Sequence, residues 1–348
     1  MTDDRLNIPT DWKNALDLCV EGRGYRDTEL ESPFDRFPAR AKGVIRDEVW
    51  RLARQACGVS VRFRTDAVQL FGDIVFEGVP DASNERLTPL RDLGLDCYGK
   101  ADDGRWYWVG TRINRWDYPL NRELLDGAFR EYRVYLPLGL PVTSLKIGVS
   151  KGARFEPAAT DTRKPIVYYG TSIVHGAYVS RPGMAFTSIV SRRLDWPMVN
   201  LGFGGNGRLE PEVASLIRDI DASVYVIDCL PNVDAQSATE RLPVFIRLLR
   251  ERRPDVPVLL VGDRLFGDAA FIPARWVTQK TKSEAQRAVY MKLKSDGDKN
   301  LYMLDSRNFF GDDFEGALDG SHPTDLGSMR MADAVEPVLR RLIRGLPV

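Results

Sequence analysis

Histidine is nearly absent from this chain: two in 348 residues, His175 and His322, and that scarcity narrows its chemistry more than any other feature of composition. If an imidazole serves as a general base, it belongs to one of these two. Cysteine is almost as rare. Cys19, Cys57, Cys97 and Cys229 lie far apart, with no C-x-x-C pair and no histidine at ligand spacing, which argues against a zinc centre. They read as small buried hydrophobes or free thiols, with disulfides among the first three left open for an exported protein. Net charge is missing too, since 49 basic side chains balance 49 acidic ones. No overall field draws the chain to nucleic acid or to an anionic membrane, so neither is expected as a partner. No apolar run could span a bilayer, and the first thirty residues hold none of signal-peptide length. As written the chain reads as cytoplasmic; with a leader removed it would read as secreted or periplasmic.

What is present changes character near residue 155. Before it come short alternating or β-branched runs, at 58–65, 68–76, 106–109, 131–136 and 144–149, separated by turn signals such as Asp102-Asp103-Gly104. Only 47–57 has a helical look. An antiparallel β-sandwich over residues 1–155 is the expectation. The aromatic stretch 105–118 (RWYWVGTRINRWDY) is read as inter-sheet core in preference to an exposed platform for sugar rings. Polar, proline-containing residues 155–165 read as a linker. From Ile166 strand and helix alternate: strands at 166–169, 197–201, 223–228, 256–261 and 301–304, helices at 184–194, 211–219, 239–251, 283–294 and 324–344. That rhythm predicts a parallel sheet covered on both faces over residues 156–348, with the carboxyl ends of its strands along one edge.

Ligands of open α/β sheets bind outside those ends. Just past them lie Ser172 in a turn broken by Gly170, the glycine run GFGGNG at 202–207, Cys229 to Asn232 (CLPN), and DGSHP at 319–323. His322 is the better base, because Asp319 three residues earlier can hold its far ring nitrogen. The plainer readings are that Ser172 and His322 cap helices, that Gly205 permits a tight turn and that Asn232 ends a strand. His175 has no nearby acid and either lines the substrate or is structural; Arg181 reaches a polar substrate or is an ordinary surface arginine. Residues 264–282, long, aromatic and basic, are expected to border or lid the site, and 106–118 to complete the pocket from the other domain. GFGGNG with Asp228 after the next strand also fits a dinucleotide fingerprint, so an NAD-binding oxidoreductase is one alternative. A non-catalytic glycan-binding protein is another.

GTS at Gly170 to Ser172, N-x-G-x-G-G at Asn200 to Gly205, Asn232 and D-x-x-H-P at Asp319 to Pro323 together resemble the blocks of the SGNH, or GDSL-type, hydrolases. VSRPGMAF, NLGFGGNGRLEPEV and DCLPN, with PFDRFPARAKG and VRFRTDA earlier, are similar to a two-domain bacterial subgroup with an amino-terminal sandwich. Two positions depart from the family: Thr171 stands where aspartate is usual and Gly204 where serine is common. The resemblance implies a jelly-roll-like sandwich followed by a flavodoxin-like domain. It also implies a cofactor-free serine esterase with Ser172 as nucleophile, His322 as base and Asp319 as its orienting acid. Backbone N–H of Ser172 and Gly205 and the side chain of Asn232 would hold the oxyanion. Small acyl groups, acetyl above all, on carbohydrate or similar polar alcohols are the implied substrates. The oligomeric state stays open.

Overall fold

The computed structural model describes residues 10–80, 84–113 and 117–346. Among the described residues nine strands precede residue 160: β1 (Thr10–Asn14), β2 (Cys19–Glu21), β3 (Ser60–Thr65), β4 (Leu70–Phe76), β5 (Gly94–Lys100), β6 (Trp106–Ile113), β7 (Arg130–Tyr135), β8 (Val142–Ser150) and β9 (Phe155–Pro157). They form two antiparallel sheets, β1-β8-β4 and β2-β3-β7-β5-β6, with β9 pairing on β3. Alternation does the sorting: Val61 and Phe63 of β3 point into the core with Leu70 and Ile74 of β4 and Ile147 and Val149 of β8. Arg62 between them turns outward to Glu21 and Glu131. Strand β9 falls on residues that read as linker, because Phe155 still packs edge-on against Phe63.

The second sheet is parallel, built from β10 (Ile166–Gly170), β11 (Met198–Gly202), β12 (Val224–Asp228), β13 (Val258–Val261) and β14 (Leu301–Leu304) in the order β11-β10-β12-β13-β14. Numbered from its own first strand this is 2-1-3-4-5, the flavodoxin order, whose switch point lies between β10 and β12. Every residue of β10 is buried. Ile166 and Tyr168 enter one core, Val167 and Tyr169 the other, so both faces are covered. Helices α3 (Ser172–His175), α4 (Phe186–Leu194), α5 (Pro211–Ile217), α6 (Ala235–Arg252), α7 (Pro273–Ser295) and α8 (Asp325–Leu342) connect and flank the strands; α1 (Asp47–Ala53) and α2 (Pro89–Leu93) come earlier. Helix α7 begins at a proline ten residues before the expected start. Its early inward residues are polar: Gln279 accepts from Phe266 N–H at 3.3 Å and Lys282 donates to the Leu230 carbonyl at 2.9 Å. Apolar periodicity misses a helix held in this way.

Most of the apolar residues between 25 and 53 pack outside the sandwich, although Phe34 remains in its core. Tyr25, Phe37, Ile45, Val49 and Trp50 share a core with Val167, Leu201, Phe203 and Ile217 of the parallel layer. Tyr25 OH donates to Leu216 O at 2.8 Å. Arg36, fully buried, donates to the carbonyls of Asn200 (3.1 Å) and Gly202 (2.8 Å) at the end of β11. The four cysteines are free and buried.

Candidate active site

Strand β10 ends at Gly170, where a Cβ would stand 2.4 Å from Val174 and 2.5 Å from the Asp228 carbonyl. Glycine is what allows the chain to turn this tightly over β12. Thr171 then caps α3, its hydroxyl accepting from Ile173 N–H at 3.3 Å. The position usual for aspartate therefore does capping work, and Ser172 is free of it. Ser172 Oγ lies 2.7 Å from His322 Nε2, 150 residues away in sequence.

His322 sits in a turn closed by Leu318 N–H donating to its carbonyl at 2.9 Å. Thr324, not His322, caps α8. The imidazole Nδ1 is 2.8 Å from Asp319 Oδ2, while Asp319 Oδ1 accepts the backbone N–H of Ser321 (3.1 Å) and His322 (2.9 Å). Partial burial pushes the Asp319 carboxyl up, but these N–H groups and the imidazole outweigh it and hold it below the usual carboxylate range. Its contribution to stability is thus present above the ordinary value near 4 and is lost as pH falls through the lower folded value. Tyr178 stands edge-on to the His322 ring, 4.9 Å between centroids.

The glycine run closes the other side. A Cβ on Gly204 would lie 3.7 Å from Ser172 Cβ, and one on Gly207 would lie 2.4 Å from the Gly170 carbonyl. Gly205 has φ +68°, a left-handed conformation suited to glycine. Asn232 Oδ1 accepts from Gly207 N–H at 3.3 Å, which leaves the Nδ2 donor of the same amide to face elsewhere. Nucleophile turn, glycine loop, Asn232 and the Asp319–His322 turn therefore meet at one edge of the sheet.

Two expected contacts are corrected. His175 is 5% exposed and cannot line a substrate: its Nε2 lies 2.9 Å from the Leu138 carbonyl and 3.1 Å from Cys57 Sγ, inside the seam with the sandwich. Burial, reinforced by Arg91 and Arg36, lowers its pKa well below the ordinary value. His175→Ala should keep p-nitrophenyl acetate turnover within a few-fold while lowering unfolding free energy by about 2 kcal/mol, because the Leu138 carbonyl loses its donor; a denaturant melt beside an assay checks both halves. Arg181 does not point at a substrate either, since its Nη1 donates to Asp96 Oδ2 at 2.8 Å and Tyr98 OH at 2.5 Å, both on β5. It ties the two halves together.

The dinucleotide reading is corrected as well. Asp228 is fully buried and bonded in bidentate fashion to a fully buried Arg264, so no ribose can reach it. The aromatic stretch is more exposed than expected, Tyr107 being 47% and Trp108 53% exposed on β6. Trp108 borders Arg181 at 5.5 Å. Positions 114–116 of that stretch lie outside the described residues. Of the presumed lid, Gly267 N–H donates to the Gly320 carbonyl at 3.1 Å, so the segment does border the catalytic turn, but its second half is helix.

Sequence reasoning missed the contribution of residues 84–93. Thr88 donates to the Ser180 carbonyl at 2.7 Å, Arg91 to Gly176 O at 2.9 Å, and Arg86 Nη1 approaches Asp319 Oδ2 at 4.0 Å. Thr88 caps the short helix α2 and Arg91 lies within it, and nothing in that local pattern points to the nucleophile turn. Among the described residues no group of histidine, cysteine, aspartate and glutamate could hold a metal ion. No helix among them is long and apolar enough to cross a membrane.

Serine, imidazole and carboxylate in line beside a glycine loop and an amide, on a 2-1-3-4-5 sheet, define a serine hydrolase arrangement. The chain belongs to the GDSL-like lipase/acylhydrolase family, whose model matches residues 163–340, and residues 10–155 match the N-terminal domain of SGNH-hydrolase-type esterases. A solved structure from Bacteroides ovatus, described as a GDSL-like lipase, shares 30% identity over 97% of this chain and 98% of its own, with a TM-score of 0.88. The salicylyl-acyltransferase SsfX3 of a tetracycline biosynthetic pathway shares the fold at 20% identity, covering 95% of this chain and 96% of its own (TM-score 0.74). A family two carbohydrate esterase from Cellvibrio japonicus does so at 13% identity, covering 97% and 99% (TM-score 0.58). A search of curated proteins found no match.

Proposed function

We propose that the protein is a carboxylic ester hydrolase that removes small acyl groups, acetyl first among them, from carbohydrate or similar polar alcohols, through an acyl-enzyme on Ser172. The observation that carries the reading is the unbroken line from Ser172 Oγ to His322 Nε2 at 2.7 Å and from His322 Nδ1 to Asp319 Oδ2 at 2.8 Å. Ser172 Oγ attacks the ester carbonyl as His322 takes its proton, and the ionised Asp319 fixes the tautomer and stabilises the imidazolium. The tetrahedral oxyanion is held by N–H of Ser172 and Gly205 and by Asn232 Nδ2. His322 then protonates the departing alcohol, and a water activated by the same imidazole releases the acid.

Supporting a small acyl group, the Tyr178 ring stands edge-on against the imidazole, 4.9 Å between centroids, and narrows the space beside the base. A polar alcohol suits the charged rim formed by Arg86, Arg208 and Asp268. The carbohydrate esterase with the same fold, which acts on such alcohols by its description, agrees with this choice. A small-molecule or oligosaccharide ester is the expected partner, and the balance of 49 basic and 49 acidic side chains favours neither nucleic acid nor an anionic membrane. Acetate release from a panel of acetylated oligosaccharides tests it; cleavage of long-chain esters with none of acetyl sugars would overturn the substrate class. Asn232→Ala is expected to cut kcat about 100-fold with KM little changed, the mark of a donor used in the transition state. Steady-state kinetics on p-nitrophenyl acetate read this directly.

A further inference from the structure

Residues 203–206 form a turn closed by Asn206 N–H donating to the Phe203 carbonyl at 2.9 Å. Gly205 is at its third position with φ +68°, and Gly204 before it has no positive φ, which makes the turn type II. In such a turn the middle peptide, here Gly204–Gly205, stands across the chain: its C=O points to one side and its N–H to the other. This is also the peptide whose rotation converts type II to type I and would carry the Gly205 N–H away. Something must hold it.

The carbonyl of Gly204 accepts from Asn206 Nδ2 at 2.7 Å, and Asn206 Oδ1 accepts from Arg46 Nη1 at 2.7 Å. The amide orientation is forced, since a carbonyl oxygen faces one end and a guanidinium the other. Arg46 itself is anchored to Glu210, its Nε donating to Oε1 at 2.7 Å, and comes from the early segment packed on the parallel layer. Donor and acceptor alternate in one direction throughout: guanidinium N–H to side-chain amide, amide N–H to the Gly204 carbonyl, and from that peptide the Gly205 N–H.

We infer that Asn206 and Arg46 are positioning residues for the Gly205 N–H, locking the peptide against rotation and polarising it toward the oxyanion. The inference rests on the proposed role of Gly205 as an oxyanion donor. Locking sets the larger effect, because a rotated peptide removes the donor altogether, and one donor is worth about 100- to 1,000-fold in kcat. Polarisation adds a smaller one, on the order of 10–30% per hydrogen bond in the line.

Asn206→Asp keeps the shape and the Arg46 contact but offers only acceptors to the Gly204 carbonyl. It should lower kcat about 10- to 100-fold with KM changed little, and weaken a trifluoromethyl ketone in the same proportion. That inhibitor forms a Ser172 O–C bond, sends the carbonyl electron pair to the oxyanion and the serine proton to His322, so its affinity reports the hole. Arg46→Met should cost about threefold in the wild-type background and nothing further in Asn206→Asp, and should move the Gly205 amide resonance upfield. Equal losses from Arg46→Met in both backgrounds, or ketone affinity unaltered by Asn206→Asp while Asn232→Ala weakens it, would overturn the inference and leave the oxyanion hole standing. If neither Asn206→Asp nor Asn232→Ala alters ketone affinity, the hole itself is misassigned. Should Asn206→Asp fold poorly, Arg46→Met at the rim with the amide resonance still decides.

Discussion

Ser172→Ala is expected to lower p-nitrophenyl acetate turnover by about 1,000-fold or more while thermal unfolding stays nearly where it was. The residue sits in a turn whose cap is supplied by Thr171, so removing one hydroxyl leaves the local hydrogen bonding of α3 intact. His322→Ala should cost as much, since the serine is a poor nucleophile without a base at 2.7 Å. The double variant should be no worse than either single one, because the two act as a unit and what survives comes from binding and the oxyanion donors. Turnover near the wild-type rate in either single variant would remove the assignment. A loss confined to variants that also melt early would reduce it to a folding effect.

The second large effect is on stability. Asp228 ends β12 and Arg264 follows β13; both are wholly buried, and the Tyr168 hydroxyl donates to the same carboxylate at 3.3 Å. Arg264 Nε has no partner, and Asp228 is the carboxylate that binds both Nη groups, with Asp263 adding a lesser charge interaction. Asp228→Ala leaves that buried charge without its bonded carboxylate, at an expected cost of about 3–5 kcal/mol, or roughly 10 °C in a chain of this size. Asp228→Ala combined with Arg264→Met should recover much of the loss, since removing both partners removes the desolvation penalty as well. Calorimetry on the three variants decides; a single variant that melts with the wild type would mean the pair is replaced by water.

Ser172, the glycine run and Asn232 were legible because each lies within a turn of the end of an apolar strand; the Asp319–His322 turn lies well past β14 and was found because only two histidines had to be sorted. Strands β10 to β14 could be read for the same reason: runs buried on both faces leave little ambiguity. The polar supports could not. Arg36, Arg264, Gln279 and Lys282 act from inside the protein, where sequence patterns predict apolar side chains, and their partners lie tens to hundreds of positions away. Tyr107 and Trp108 misled in the opposite sense, as exposed aromatic residues on the two faces of the edge strand β6. His175 and Arg181 sit within ten residues of the nucleophile yet turn away from it, because α3 and the turn after it are packed against the sandwich.

The excursion of residues 25–53 onto the parallel layer bears on how the chain is made. That segment leaves the ribosome roughly 10–30 s before β11 and α5, the surfaces it covers, at ordinary rates of synthesis. Tyr25, Phe37, Ile45 and Trp50 must wait without their partners through translation of the entire sandwich. The parallel-sheet half thus takes part of its core from the amino-terminal half, and a version expressed from residue 156 onward would emerge with one flank of that core uncovered.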